Sequence, residues 1–198
     1  DLTPKNPEKL QELASLVGGE IILGQSVRLK SPGQISKIDG YDKGEWWVQD
    51  AAAALPVRLL GNIRGKTALD LCAAPGGKTL QLAAAGAEVT AVDISERRLK
   101  RLEENLQRTG MTAEVKAMDA FALRDVHYDV IVLDAPCSAT GTLRRHPDLP
   151  YAKDGSEFAN LIQLQQKMLR HAVNLLAPGG RLVYCTCSLL PDEGEAQI

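Results

Sequence analysis

From residue 67 onward, short apolar runs alternate with longer stretches of helical spacing, and that alternation restricts the fold more than any other feature of the chain. Runs at 67–72, 88–92, 129–134 and 181–186 read as buried strands, with a weaker one at 113–117. Residues 77–85, 95–109 and 157–176 between them read as helices. Such a βαβ succession implies an open parallel sheet with helices on both faces and right-handed crossovers. Ligands in such sheets bind beyond the carboxyl ends of the strands, at the switch point. The preceding residues follow a different pattern. Leu10, Leu13, Leu16 and Val17 lie at helical spacing within 7–17, and Gly18-Gly19 stops that helix. Residues 20–49 suggest short strands and turns, with Val27 and Leu29 alternating with polar neighbours. Asp50 is expected to cap an alanine-rich helix over 51–60. The expected organisation is a small α+β extension over 1–48, available for contact with a nucleic acid, and an α/β domain over 49–198.

The strand ends are where chemistry is expected. The first runs into Leu69-Asp70-Leu71-Cys72-Ala73-Ala74-Pro75-Gly76-Gly77-Lys78-Thr79. Small residues there let backbone approach a ligand, and the next helix offers unpaired N–H groups. The second strand ends in Asp93, where an acid typically holds a ribose hydroxyl pair. The third ends in Asp119, suited to accept from an adenine amine, and the fourth in Asp134-Ala-Pro-Cys137-Ser138. One such Asp alone is as readily a helix cap, but four at successive strand ends point to a nucleoside-like ligand. Gly77-Lys78-Thr79 also resembles the end of a phosphate-binding loop, and 130–134 a Walker B strand. That loop needs glycine where Cys72 stands, and without it the left-handed turn around the phosphate is not expected. The dinucleotide glycine spacing is also missing. An adenosyl ligand without a phosphate chain fits best.

The 198 residues suffice for one such domain plus the extension. No apolar run approaches the about 18 residues of a membrane span. No secretory signal opens the chain, so Cys72, Cys137, Cys185 and Cys187 are expected as reduced cytoplasmic thiols. Beginning at Asp1, the chain reads as an excised piece of a longer protein. A net charge of −2 gives no global argument for nucleic acid, so any such contact must come from a local basic patch or another domain. Cys185-Thr-Cys187 has no second close pair, and His127, His146 and His171 show no ligand spacing, so no metal is expected.

Four motifs carry a family resemblance: Asp70-Leu-Cys-Ala-Ala-Pro-Gly-Gly-Lys-Thr79, Asp134-Ala-Pro-Cys-Ser-Ala-Thr-Gly141, Arg144-Arg-His-Pro-Asp148 and Tyr184-Cys-Thr-Cys-Ser188. With Trp47-Val-Gln-Asp50 ahead of them, the chain over about 45–195 resembles the RsmB/Sun (Fmu) family of RNA 5-methylcytosine methyltransferases, nearest its bacterial rRNA branch. The resemblance implies a Rossmann-like class I fold that binds S-adenosyl-L-methionine. Cys72, Ala73, Ala74, Pro75, Gly76, Gly77 and Lys78 would line the cofactor. Asp93 would hold its ribose, Asp119 its adenine, and Arg98 would lie near the adenosine. Asp134 would face both the methionine end and the target base. Cys187 would be the nucleophile and Cys137 the thiol that assists release. The family continues past the fifth strand with a further helix and hairpin, and its rRNA branch carries an amino-terminal helical domain. Neither is matched here, so the α/β domain is read as truncated at its carboxyl end.

Chemistry explains the use of two thiols. Carbon 5 of cytosine is a poor nucleophile until a thiolate adds at carbon 6 and makes the ring an enamine able to take a methyl group. Asp134, if protonated or bridging a proton, could stabilise charge at ring nitrogen 3. The carbon-5 proton must then leave so that the thiol can depart, which Cys137 would assist. Cys72 and Cys185 are expected as small buried side chains without chemistry. Cys185 and Cys187, two apart, are expected on one side of the fifth strand.

An RNA substrate needs cations at the cleft. Arg144, Arg145 and His146 follow the Pro-Cys loop, with Lys153 beyond, and Arg28, Lys30 and Lys37 could form a second patch. A solvated charged face is the alternative for the extension. The target cytosine must leave any duplex stack, so single-stranded or flipped positions in rRNA are expected substrates, and the protein is expected as a monomer. Trp46 and Trp47 could stack on a base but are expected to pack under the sheet edge. Competing readings are a DNA cytosine-5 methyltransferase using Cys137 as nucleophile, a phosphate-loop ATPase, and an RNA-binding assembly factor on an inactive methyltransferase scaffold.

Overall fold

The computed structural model describes residues 1–152 and 154–198. The α/β part is a five-stranded parallel sheet in the order β7-β6-β5-β8-β9, formed by β5 (Thr67–Leu71), β6 (Glu88–Asp93), β7 (Glu114–Ala117), β8 (Tyr128–Asp134) and β9 (Leu176–Cys185). Helices α3 (Gly77–Ala84), α4 (Glu96–Thr109) and α6 (Phe158–Asn174) join the strands, with the single-turn α5 (Leu149–Ala152) ahead of α6. These lie within two residues of the sequence expectation, except that β9 starts five residues early. Leu176 already pairs with Tyr128, and a register shift between Tyr128 and Val130 absorbs the Pro-Gly-Gly segment before pairing resumes at Arg181. Order reverses at β5, between β6 and β8, so β5 and its neighbours open the crevice where a ligand sits. Leu69, Leu71, Ile131 and Leu133 pack beneath α6 residues Met168 and Ala172 on one face. Leu82, Val89, Val130 and Val132 form the core on the other. At about 25 cal/mol per Å² of apolar surface, each such buried aliphatic side chain is worth about 1.5–3 kcal/mol.

Residues ahead of the α/β part build a second sheet, β2-β3-β1-β4, from β1 (Leu2–Pro4), β2 (Glu20–Ile22), β3 (Ser26–Arg28) and β4 (Trp46–Val48). Helix α1 (Leu10–Val17) covers it, preceded by a 3-10 turn at Pro7–Lys9, and ends in left-handed Gly18. The extension leans on α4. Arg108 donates to the carbonyls of Tyr41 and Trp46 and stacks on the Tyr41 ring 4.1 Å from its centre. Gly44 lies so close to Arg108 and Thr109 that any side chain would meet their backbone at 2.1 Å. Trp46 is buried in the extension's core, while Trp47 packs against Ala73, Leu80 and Leu102 of the α/β part. Neither stands out for base stacking.

The expected helix over 51–60 is shorter. Residues 51–54 are turns and α2 spans Leu55–Leu59. Asp50 engages Ala52 N at 2.9 Å, and Pro56 has no N–H to close a helical bond back to Ala52.

Candidate functional site

The ends of β5, β6, β7 and β8 converge on a cavity of about 380 Å³. Asp93, Asp119, Asp134 and Arg98 line it with Cys72, Ala74 and Pro136, and Ile94, Phe121, Leu164 and Met168 supply apolar surface. Asp93 is 3% exposed, and its two oxygens accept from Ala74 N at 3.0 Å and Ser95 N at 2.9 Å. Each retains a lone pair for a hydroxyl. Arg98 lies 3.5 Å from Asp93 and donates to Ala74 O. Asp119 is exposed and accepts from Phe121 N at 2.9 Å. Asp93 and Asp119 therefore also cap the turns that follow them, so the cap and ligand readings are compatible at these two positions.

Of the glycine-rich segment, Cys72 and Ala74 line this cavity, while Ala73, Pro75, Gly77 and Lys78 line a neighbouring, larger cleft. Gly76 lines neither; its φ of 107° and a Leu102 side chain 2.8 Å from any added Cβ demand glycine there. Cys72 has φ 63°, so a left-handed turn is present without glycine, against expectation. Its neighbours impose that conformation at a cost of about 1–3 kcal/mol. Phosphate-loop chemistry is opposed instead by charge: three carboxylates and one guanidinium line the cavity.

Asp134 borders both spaces. Its Oδ2 receives Lys78 Nζ at 2.7 Å, and Cys185 Sγ lies 3.8 Å from Oδ1. Burial alone would push the Lys78 ammonium down, but Asp134, with Cys185 and Asp70, more than offsets it and holds the group above its ordinary value. Beneath them Asp70 is wholly buried. Its Oδ2 accepts from Thr79 Oγ1 at 2.6 Å and its Oδ1 has no partner. Burial pushes its carboxyl up to about 7, against the Thr79 hydrogen bond and the Lys78 charge.

The four thiols divide two and two. Cys72 and Cys185 are pushed up to about 12, by burial first and then by neighbouring carboxylates, so both stay protonated near neutrality. Cys137 Sγ and Cys187 Sγ lie 3.4 Å apart. The hydrogen bond from Cys137 pulls Cys187 down to about 7 despite partial burial, with Arg145 assisting, and that bond together with burial pushes Cys137 up. Cys187 is the exposed member of the pair and borders both spaces. Cys185 closes β9, whereas Cys187 lies beyond the strand, so the two do not share a strand face as expected. The chain leaves the sheet at Thr186, and Cys187 O accepts from Gly141 N at 2.9 Å.

The larger cleft, about 900 Å³, runs from Asp134 and Cys187 past Arg144 and Arg145 to Arg101, Arg108 and Tyr41. His146 is exposed on the same turn but does not line it. Lys153 lies outside the described residues. Arg28 is committed to Asp1 through two bonds of 2.8 and 2.9 Å. With Lys30 it borders a separate pocket of about 500 Å³ on the extension, and Lys37 does not. Sequence reasoning missed the Lys78–Asp134 pair, the closeness of Cys185 to Asp134, Arg101 as a cation of the cleft, and a buried carboxylate at Glu193 six residues after Cys187. A Glu in a short Pro-Asp-Glu-Gly turn carries no local mark of burial. Among the described residues no cluster of His, Cys, Asp or Glu could hold a metal ion, and no helix is long and apolar enough to cross a membrane.

Comparison with known proteins agrees with this geometry. Residues 57–198 match the family described as 16S rRNA methyltransferase RsmB/F. The chain is 48% identical over 181 residues to ribosomal RNA small subunit methyltransferase B of Erwinia tasmaniensis, covering 88% of this chain and 42% of that protein. It is 43% identical to the protein of that name from Sodalis glossinidius, covering 94% of this chain and 46% of that one. The chain thus spans less than half the length of these relatives. Among solved structures, NSun6 from Pyrococcus horikoshii with SFG superposes with a TM-score of 0.75 at 31% identity, over 87% of this chain and 47% of that one. A methyltransferase homolog protein from Pyrococcus horikoshii reaches 0.80 at 28% identity, over 99% and 67%.

Proposed function

The chain belongs to the RsmB/F family of 16S rRNA methyltransferases, and on that premise we propose that it is the catalytic domain of an S-adenosyl-L-methionine-dependent enzyme that methylates carbon 5 of a cytosine in small-subunit rRNA. The observation that carries the reading is the thiol pair. Two cysteines fifty positions apart meet at 3.4 Å, and the exposed one, drawn toward the thiolate, borders both the cavity and the cleft.

The cavity suits the cofactor. Its apolar residues can cover an adenine, Asp93 and Asp119 offer acceptors to hydroxyl and amine donors, and scarce cations fit a ligand without phosphates. SFG, a S-adenosylmethionine analogue, accompanies the related NSun6. Bound there, S-adenosyl-L-methionine would supply an electrophilic methyl group. Cys187 adds to carbon 6 of the cytosine and places electron density on carbon 5. Lys78, 2.7 Å from Oδ2, would hold Asp134 in place beside the ring, where a proton shared between the carboxyl and ring nitrogen 3 would stabilise the charge that builds there. Once carbon 5 carries its methyl group, a base removes the remaining proton there, the carbon 5–carbon 6 double bond re-forms and Cys187 leaves as thiolate. Cys137, hydrogen-bonded to Cys187, is positioned to assist that departure. Arg144 and Arg145 would hold phosphates of a single-stranded or flipped-out segment.

Covalent trapping tests this. The protein and its Cys137→Ala and Cys187→Ala variants are incubated with S-adenosyl-L-methionine and unmethylated 16S rRNA, then run on a denaturing gel. A stable RNA–protein adduct with Cys137→Ala alone is expected. An adduct with Cys187→Ala alone would reverse the two roles. Binding of RNA with neither adduct nor methylation in any form would favour an RNA-binding scaffold.

A further inference from the structure

Glu193 is a carboxylate with no exposed surface, at the end of the 3-10 turn Pro191–Glu193. It accepts from Ser138 N at 2.9 Å, Ser138 Oγ at 2.5 Å and Gln165 Nε2 at 3.0 Å. Ser138 follows Cys137, and its hydroxyl lies 3.1 Å from that of Ser188, which follows Cys187. Gln165, on α6, also donates to Pro136 O at 2.8 Å, just ahead of Cys137. Tyr184 Oη donates to the Glu193 carbonyl at 2.8 Å, tying the turn to β9. One carboxylate thus joins the loop of each cysteine to the helix behind them. Glu193 lines neither cavity nor cleft, so it does not reach cofactor or RNA. A full set of donors around a buried carboxylate holds its partners rigidly, because each lost bond would leave a buried polar group unpaired. Burial would raise its pKa, but the bonds from Ser138, Ser188 and Gln165 outweigh that and hold the carboxyl below the usual range.

We propose that Glu193 is a positioning residue that clamps the Cys137 and Cys187 loops together and so sets the thiol–thiol approach on which release of the methylated product depends. The proposal rests on the two-thiol reading above. Glu193→Ala is expected to lower kcat about 10–100-fold, leave the KM for RNA within about threefold, and accumulate RNA–protein adduct during turnover, as is expected of Cys137→Ala. In the free protein, the pH profile of Cys187 alkylation by iodoacetamide is expected to move upward, because the bond from Cys137 is lost. Diamide should join Cys137 to Cys187 at least about tenfold more slowly than in the wild type. Glu193→Gln, whose amide can still accept from Ser138 N and donate to Ser138 Oγ, should restore most of each readout. If Glu193→Ala fails to fold, Ser138→Ala removes one of the same bonds and should shift both thiol measurements in the same direction. Unchanged thiol measurements, with only the melting temperature lowered, would overturn the clamp. The thiol measurements need neither RNA nor cofactor, so an inactive wild type would refute the methyltransferase reading while still testing the clamp.

Discussion

Around the smaller cavity the carboxylates lean on their own strand-to-helix turns. Asp119 accepts from Phe121 N and Asp93 from Ser95 N, each two residues on. On the thiol side of Asp134 the contacts span the fold. Cys137 meets Cys187 and Ser138 meets Ser188 across fifty positions, and Ser138 meets Glu193 across fifty-five. A turn makes the first set by its local geometry, whereas only the docking of two loops makes the second. The cavity side should therefore tolerate loss of one group at a time, and the thiol side should fail as a unit.

The largest expected contrast lies between one residue from each side. Cys187→Ala should cost about 10⁴-fold or more in methyl transfer, since a nucleophile has no substitute. Asp119→Ala should raise the cofactor KM about tenfold, the worth of one hydrogen bond, with kcat nearly unchanged. Initial rates over a range of cofactor concentrations would measure both, and equal losses would erase the distinction.

Asp70 sharpens the comparison through pH. Its carboxyl titrates near 3.8 when unfolded and near 7 when folded, so the folded state binds more protons between those values. Its contribution is fully present below about pH 4 and is lost as pH rises through 7, a change on the order of 4 kcal/mol. Asp70→Asn should flatten this part of the stability profile in urea unfolding at pH 4.5, 6 and 8. A slope identical to that of the wild type would mean that the buried carboxyl is not protonated.

Lys78 straddles the two sides. Lys78→Met leaves Asp134 without its cation and should cost about 1–3 kcal/mol of stability, read in the same unfolding assay. It should also lower kcat more than the cofactor KM rises. The opposite split would assign the pair to the cofactor alone. The smallest effect is expected at Arg145. Cys187 reactivity should rise with pH through an inflection near 7, and Arg145→Ala should move that inflection up by a few tenths of a pH unit, as fits a screened, exposed charge. The same substitution should reduce the salt dependence of RNA binding by about one phosphate contact.

Much of the α/β scaffold was legible because its signals are local. Strand and helix periods located each element, and the register of a parallel sheet carries Asp93, Asp119 and Asp134 to neighbouring strand ends. The thiol roles came only from family resemblance, because nothing in the residues around position 137 or 187 marks either thiol as reactive. Strand β1 escaped notice, since three residues are too few to show a period. The helix over 51–60 was overread because alanine content outweighed the missing N–H of Pro56. Cys72 misled in the other direction: its left-handed backbone is imposed by the surrounding turn, and its side chain gives no sign of it.

By itself the sequence determined an open parallel sheet, the acids at its strand ends and the chemical types available there, because apolar period and strand-to-helix turns act over a few residues. Tertiary structure alone decided which thiol is drawn toward the thiolate, which carboxyl burial pushes up and which carboxylate, Glu193, is locked by donors. Those properties depend on burial and on hydrogen bonds between groups fifty positions apart, and no local pattern encodes either.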